Sequence, residues 1–198
     1  MGAYVKTKQT ALATIQSVSA SSVFISSVFD MGTKLGGNIQ IRFGRTAATA
    51  AGAGAILRCE MSSETSGDNS WFPFANLVTA FAACEAEALT GTVNAGQNVL
   101  TLASTTNLTI GDLIFIKNGT FANSEWGRIK SISTNTSVTL EDNLVNAQTS
   151  STIYDTAEIF PIINIPESAM RIRFVADGSL FTQAFAIHAG LITIDSFG

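Results

Sequence analysis

The sequence predicts an all-β protein: an antiparallel β-sandwich, jelly-roll-like, with a small β-barrel inserted into it. Three observations carry this. Apolar and polar residues alternate with a period of two in two distant stretches, GNIQIRFGR (37–45) and SAMRIRFVADG (168–178), the pattern of strands with one buried face. Turn residues recur at short intervals along the whole chain. Near residue 90 the composition shifts to Thr/Asn/Gly-rich text carrying short apolar runs, as expected of a separate module of short strands.

The elements follow in order. Residues 1–10 read as an N-terminal arm. Residues 11–18 and 23–29 are Ser/Thr-rich extended segments. Residues 39–43 form a strand whose Ile39, Ile41 and Phe43 share one face. Residues 46–55 (TAATAAGAGA) contain only small residues and read as a flexible loop tip or contact arm. Residues 56–61 form the next strand, with Leu57, Cys59 and Met61 inward, and residues 62–70 form an exposed turn. Trp71, Phe72, Pro73 and Phe74 then close that loop, either capping one end of the sandwich or offering a contact patch. Residues 77–89 are ambiguous: Leu77, Phe81, Cys84 and Ala88 fit a helical stripe, whereas the local alternation favours an extended segment.

The inserted barrel is assigned residues 89–158, and the sandwich residues 11–88 plus 159–198. Within the insert, runs around Leu100, at 113–117, 126–132, 137–140 and 151–154 predict five short strands. Asn118-Gly119 signals a tight hairpin. Insertion at a surface loop is thermodynamically mild, because closure entropy grows slowly with loop length. Pro161 marks an edge or a strand start. The last unit, residues 168–194, reads as a hairpin turning at Asp177-Gly178-Ser179. Phe181, Phe185, Ile187, Ala189 and Leu191 lie on one face of its second limb, and Ala186, His188 and Gly190 on the other. An isolated hairpin is marginal in water, so it needs the strands at 37–45 and 54–61 as partners.

Composition narrows the function classes. The 198 residues are 46% hydrophobic and only 13% charged, with a formal net charge of −4. Counterion release, which drives nucleic-acid binding, needs a basic surface, so no nucleic acid is expected. No apolar run reaches the roughly 18 residues of a membrane helix, so no membrane partner is expected. The first residues lack a secretory h-region, which points to synthesis in a cytoplasm. The two cysteines, Cys59 and Cys84, are too few for a disulfide framework, and Cys59 reads as a small buried hydrophobe.

Catalytic constellations are not apparent. The one histidine, His188, faces Ala184, Ala186 and Gly190, a narrow register suited to close packing or an interface rather than to a triad. Metal sites need clustered His, Cys or carboxylates. The close acidic pairs, Glu85/Glu87 and Glu141/Asp142, read as turn or solvated positions. No enzyme activity, cofactor or metal is therefore expected. The aromatic residues Tyr4, Trp71, Phe72, Phe74, Phe121 and Trp126 are the candidate interface, together with the arm and the 46–55 loop. Trp71, Phe72, Phe74 and Trp126 would also serve as stacking platforms in a carbohydrate-binding module.

The segments GGNIQIRFGRT, ILRCEMSSE, WFPFANL, ESAMRIRFVADG and IHAGLITIDSFG, with the insert GDLIFIKNGTFANSEWGRIKSIS, resemble β-sandwich virion structural proteins of tailed bacteriophages. The resemblance lies in texture and order over nearly the whole chain. It implies a capsid decoration or cement protein on the virion surface that binds the major capsid protein and stabilises the shell. It also implies a homo-oligomer, a trimer by analogy with capsid junctions, and neither cofactor nor catalytic residue. Alternatives are a neck, tail or fibre component of the same particle, or a carbohydrate-binding β-sandwich module.

Overall fold

A computed structural model describes residues 4–67 and 70–197. In chain order the strands are β1 (Tyr4–Lys8), β2 (Ala13–Val18), β3 (Val23–Ile25), β4 (Phe29–Asp30), β5 (Gly36–Arg45), β6 (Ile56–Ser62) and β7 (Phe72–Val78). The insert follows with β8 (Ala86–Ala88), β9 (Val99–Thr101), β10 (Leu113–Lys117), β11 (Glu125–Ser133), β12 (Ser137–Leu140) and β13 (Thr152–Tyr154). The chain then returns through β14 (Glu158–Ile159), β15 (Ile163–Asn164), β16 (Arg171–Asp177) and β17 (Phe185–Phe197). All named pairings are antiparallel, and one 3₁₀ turn spans Phe121–Asn123.

The protein is an all-β sandwich. Its first sheet centres on β17 and β5, paired from Phe185–Arg45 to Ile194–Gly36. β1 and β2 flank β17, and β14 and β15 flank β5. The second sheet runs β3-β16-β6-β7, with β4 also on β16. The inner positions of both sheets meet in one core: Ile39, Ile41, Phe43, Ile187, Ala189 and Leu191 from the first, and Leu57, Cys59, Ile172, Phe174 and Ala176 from the second. Phe43, Phe181 and Phe185 close one end, with centroids 5.1–5.9 Å apart. Burial pushes the Cys59 thiol up to about 12, consistent with its reading as a core hydrophobe.

The sequence pattern put both alternating stretches in one core, and Ile41 and Ile172 do meet there. Their pairing differs from expectation. Residues 168–194 are not a hairpin: β16 pairs with β6, β3 and β4, whereas β17 pairs with β5, β1 and β2. The turn at Asp177-Gly178 carries the chain from one sheet to the other. Alternation identifies a strand's buried face but says nothing about its neighbour, which explains the error.

Other segments also depart from the sequence reading. Phe72–Val78 is a strand on the edge of the second sheet, with a register shift opposite Cys59/Glu60 that accommodates Pro73. An edge is where a strand tolerates proline. Asn118-Gly119 does not form a two-residue hairpin. β10 ends at Lys117 and β11 starts at Glu125, because the buried Asn118 amide is held by the Ala147 carbonyl and Gln148 instead. Residues 77–89 contain no helix: Val78 ends β7, β8 begins at Ala86, and residues between are irregular.

Residues 46–55 are tied down rather than free. Ala51 and Ala55 are buried, Gly52 bridges to Phe181, and the Thr182 backbone N–H donates to the Ala51 carbonyl. The segment read as an N-terminal arm lies, from Tyr4 to Lys8, along β17 as an edge strand. Residues 1–3 of that arm, and Asp68 and Asn69 of the 62–70 turn, lie outside the described residues.

The insert forms one six-stranded sheet in the order β8-β13-β10-β11-β12-β9. It curls until its first and last strands meet: Leu89 bridges Leu102, and the Thr90 N–H donates to the Thr101 carbonyl. Its own core contains Leu100, Ile114, Ile116, Ile129, Val138 and Ile153. This sheet starts at Ala86 and ends at Tyr154, while Glu158 already belongs to the sandwich.

Candidate functional site

The outer face of the first sheet is set by the alternation of β5 and β17. With Ile39, Ile41 and Phe43 pointing inward, Asn38, Gln40, Arg42 and Gly44 point outward. On β17 the outward series is Ala186, His188, Gly190 and Ile192, paired with β5 in the same register. The insert covers one end of this face. Phe115 stacks over Gly44, where any Cβ would collide with the ring, so glycine is required by that close approach. Phe115, Tyr154, Ala157 and Ala186 form a small buried cluster, with Phe121 and Trp126 packed against it. The Trp126 Nε1–H donates to the Phe43 carbonyl across 2.8 Å. The seam is therefore fastened both by ring packing and by a directed hydrogen bond.

Where the insert stops, a cleft of about 360 Å³ opens, lined by Thr14, Ile15, Arg42, Ala122, Trp126 and His188. A second hollow of about 300 Å³ continues along the sheet past Lys8, Asn38, Gln40, Arg42 and His188. Arg42 and His188 are direct cross-strand partners and form the shared floor of both hollows. The His188 ring lies over Gly190, its Cε1 3.2 Å from where a Cβ would stand.

Electrostatics distinguish this floor. The Arg42 side chain makes one long contact, from Nη2 to Gln40 Oε1 at 3.5 Å, and its Nε is buried without a partner. His188 Nδ1 is likewise buried and unpartnered. Among the described residues no carboxylate lies within ion-pair distance of Arg42; the pairs are Lys34–Asp195, Arg58–Glu60, Arg58–Asp177, Arg128–Glu141 and Arg173–Glu60. Burial lowers the His188 pKa, and Arg42 and Lys8 lower it further by repulsion. Protonation of the histidine is thus opposed by burial and by two neighbouring basic groups.

The six candidate aromatic residues fall in separate places. Phe121 and Trp126 meet at the seam through Phe115, whose ring centroid is 6.1 Å and 4.9 Å from theirs. Trp71, Phe72 and Phe74 lie on the second sheet. Trp71 stacks beneath the Arg171 and Arg173 guanidinium groups at 5.0 and 4.3 Å, Phe72 is exposed, and Phe74 is half-buried against the sandwich core. Tyr4 joins the β1–β17 ladder opposite Phe197, and its side chain lies outside what the structure describes. The residues that shape the cleft floor, Asn38, Gln40 and Arg42, were not singled out from the sequence. Their signal was present as three polar side chains at every second position opposite an apolar face.

No protein-family model matches the chain, and no curated protein matches it. Among solved structures, the tailspike protein gp49 from Pseudomonas phage LKA1 is similar over 37% of this chain, with 27% identity and a TM-score of 0.30. The chain spans 15% of that tailspike's length. VP17, a capsid protein of bacteriophage P23-77, aligns over 98% of this chain and 99% of its own, with 12% identity and a TM-score of 0.20. A chain from the structure of infectious bursal disease virus Gx strain aligns over 98% of this chain and 83% of its own, with 7% identity and a TM-score of 0.23.

Proposed function

We propose that this chain is a non-enzymatic structural component of a tailed-phage virion, a decoration protein that binds the major capsid protein and assembles as a homo-oligomer, by resemblance a trimer. The observation that supports this reading is the state of the second sheet's edges. β3 (VFI) and β7 (FPFANLV) flank that sheet, and neither carries a charged residue. Val23, Ile25, Phe72 and Val78 on these strands are at least half exposed. Monomeric β-proteins blunt such edges with charge, because an open apolar edge recruits another strand. Pro73 and the register shift beside it interrupt β7 and β3 is only three residues long, but neither edge carries charge. Edges of this kind suit burial against neighbouring subunits in a shell.

The test is made on particles. Quantitative mass spectrometry of purified virions gives the copy number relative to the major capsid protein. Copies in proportion to the shell lattice support decoration. A small fixed number moves the chain to a neck, tail or fibre position, and absence from the particle ends the virion reading. Particles lacking the chain are expected to release their genome at lower temperature.

A further inference from the structure

The cleft between the sandwich and the insert has the chemistry of a ligand site, and its parts converge from four distant segments: Lys8 and Thr14, Asn38 to Arg42, Trp126, and His188. Buried polar atoms are ordinarily hydrogen-bonded, and exceptions call for an explanation. Two of the six such side-chain atoms among the described residues, Arg42 Nε and His188 Nδ1, belong to the two floor residues. The terminal nitrogens of Arg42 have one contact, at 3.5 Å to Gln40, and no carboxylate partner among the described residues, and a guanidinium so placed is a planar fork that matches a carboxylate. Around it stand neutral hydrogen-bonding side chains, Thr14, Asn38 and Gln40, and an indole wall. The two hollows, about 360 and 300 Å³, lie within the range of small-molecule sites.

We propose that this cleft binds an acidic saccharide unit, a hexuronate whose carboxylate pairs with Arg42 and whose hydroxyls meet His188, Gln40, Asn38 and Thr14, with Trp126 beside the ring. The surroundings favour a singly charged, hydroxyl-rich ligand over an acidic peptide. On the other side of Arg42, Glu125, Asp142 and Glu141 line the neighbouring hollows and repel a multiply charged chain. The proposal does not depend on the virion reading, since any carrier protein could hold this site.

The experiment is calorimetric titration of the full chain at low salt with glucuronate, glucose and a blocked Glu-containing tripeptide, alongside NMR of the single histidine. Glucuronate is expected to bind weakly, in the millimolar range or somewhat tighter, and to shift the His188 ring signals. Glucose is expected to bind at least about tenfold more weakly, since it lacks the charge-assisted pair. Arg42→Gln should weaken glucuronate by a similar factor with the melting curve preserved, and Arg42→Lys should retain part of the affinity. His188→Gln gives a second, independent loss. Tripeptide binding tighter than glucuronate overturns the proposal, as does glucose matching glucuronate. Absence of glucuronate binding up to about 50 mM, a free energy near 2 kcal/mol, or binding indifferent to Arg42→Gln, also overturns it. Particle composition is unaffected by all these outcomes, so failure here is distinct from failure of the virion role.

Discussion

The inner and outer faces of β5 treat their arginines differently. Arg45 points inward and is fully buried, yet its guanidinium donates to the carbonyls of Ala82, Thr49 and Ala47 and lies 5.5 Å from the Phe181 ring centroid. It gathers the 46–55 loop and the turn after β7 onto the end of the sandwich. Arg42, three residues earlier and outward, is only half-buried, and it has one long contact and an orphaned Nε. One strand thus holds one arginine that the fold uses and another that the fold leaves available. A buried charge is retained in a stable core only when its donors are satisfied. Both arginines leave Nε without a partner, but the terminal nitrogens of Arg45 are satisfied by main-chain oxygens whereas those of Arg42 have only the 3.5 Å contact to Gln40, and that difference separates a structural cation from a binding cation.

The largest expected effect tests the structural side. Arg45→Ala removes the donor to three main-chain carbonyls and opens a cavity behind Phe181. It should lower unfolding stability by about 3 kcal/mol or more in urea denaturation. A neutral result breaks the comparison. Next is Gly44→Ala, which drives a methyl group into Phe115 and should cost about 1–3 kcal/mol. Combined with Phe115→Ala it should show coupling, because the two sites touch. Trp126→Phe loses the hydrogen bond to Phe43 and part of the seam packing, an effect of about 1 kcal/mol.

The pH response comes next. The folded His188 pKa lies below its ordinary value because burial and then Arg42 and Lys8 oppose protonation. The unfolded chain therefore binds the proton more readily. Stability is full above the ordinary histidine pKa of about 6.5 and is lost as pH falls through the lower folded value. His188→Gln should flatten that acid-side loss in pH-dependent melts. The smallest effect is Arg42→Gln, expected within about 0.5 kcal/mol of the parent. A large destabilisation there would show that Arg42 belongs to the fold, and would sharpen the comparison against a binding role.

The sequence made some of this legible and hid the rest for physical reasons. The alternation of Ile39-Ile41-Phe43 and of Ile172-Phe174 identified both central strands and their shared core, because burial on one face writes itself into every second residue. The same alternation is silent on pairing, so Asp177-Gly178 reads as a hairpin turn although it links opposite sheets. β7 was missed because an edge strand is half-exposed along both faces and carries Pro73. The loop at 46–55 reads as free from its small residues, yet it is held locally by Arg45 and, across distant segments, by the Thr46 hydroxyl on the Ala184 carbonyl and the Thr182 N–H on the Ala51 carbonyl. At the cleft, the narrow register around His188 was legible, while its partnership with Arg42 needed the ladder between β17 and β5.

The insert leaves and rejoins the sandwich through β8 and β13, which run side by side as an antiparallel pair, Ala86 opposite Tyr154 and Ala88 opposite Thr152. A tensile load applied to the far end of this module reaches its base by peeling β8 from β13 one rung at a time, the weakest direction for a ladder. Resistance to shear or vibration must then come from the lateral fastening, the Trp126–Phe43 bond and the Phe115 ring seated on Gly44. That arrangement makes the module a lever pinned at its side rather than at its root.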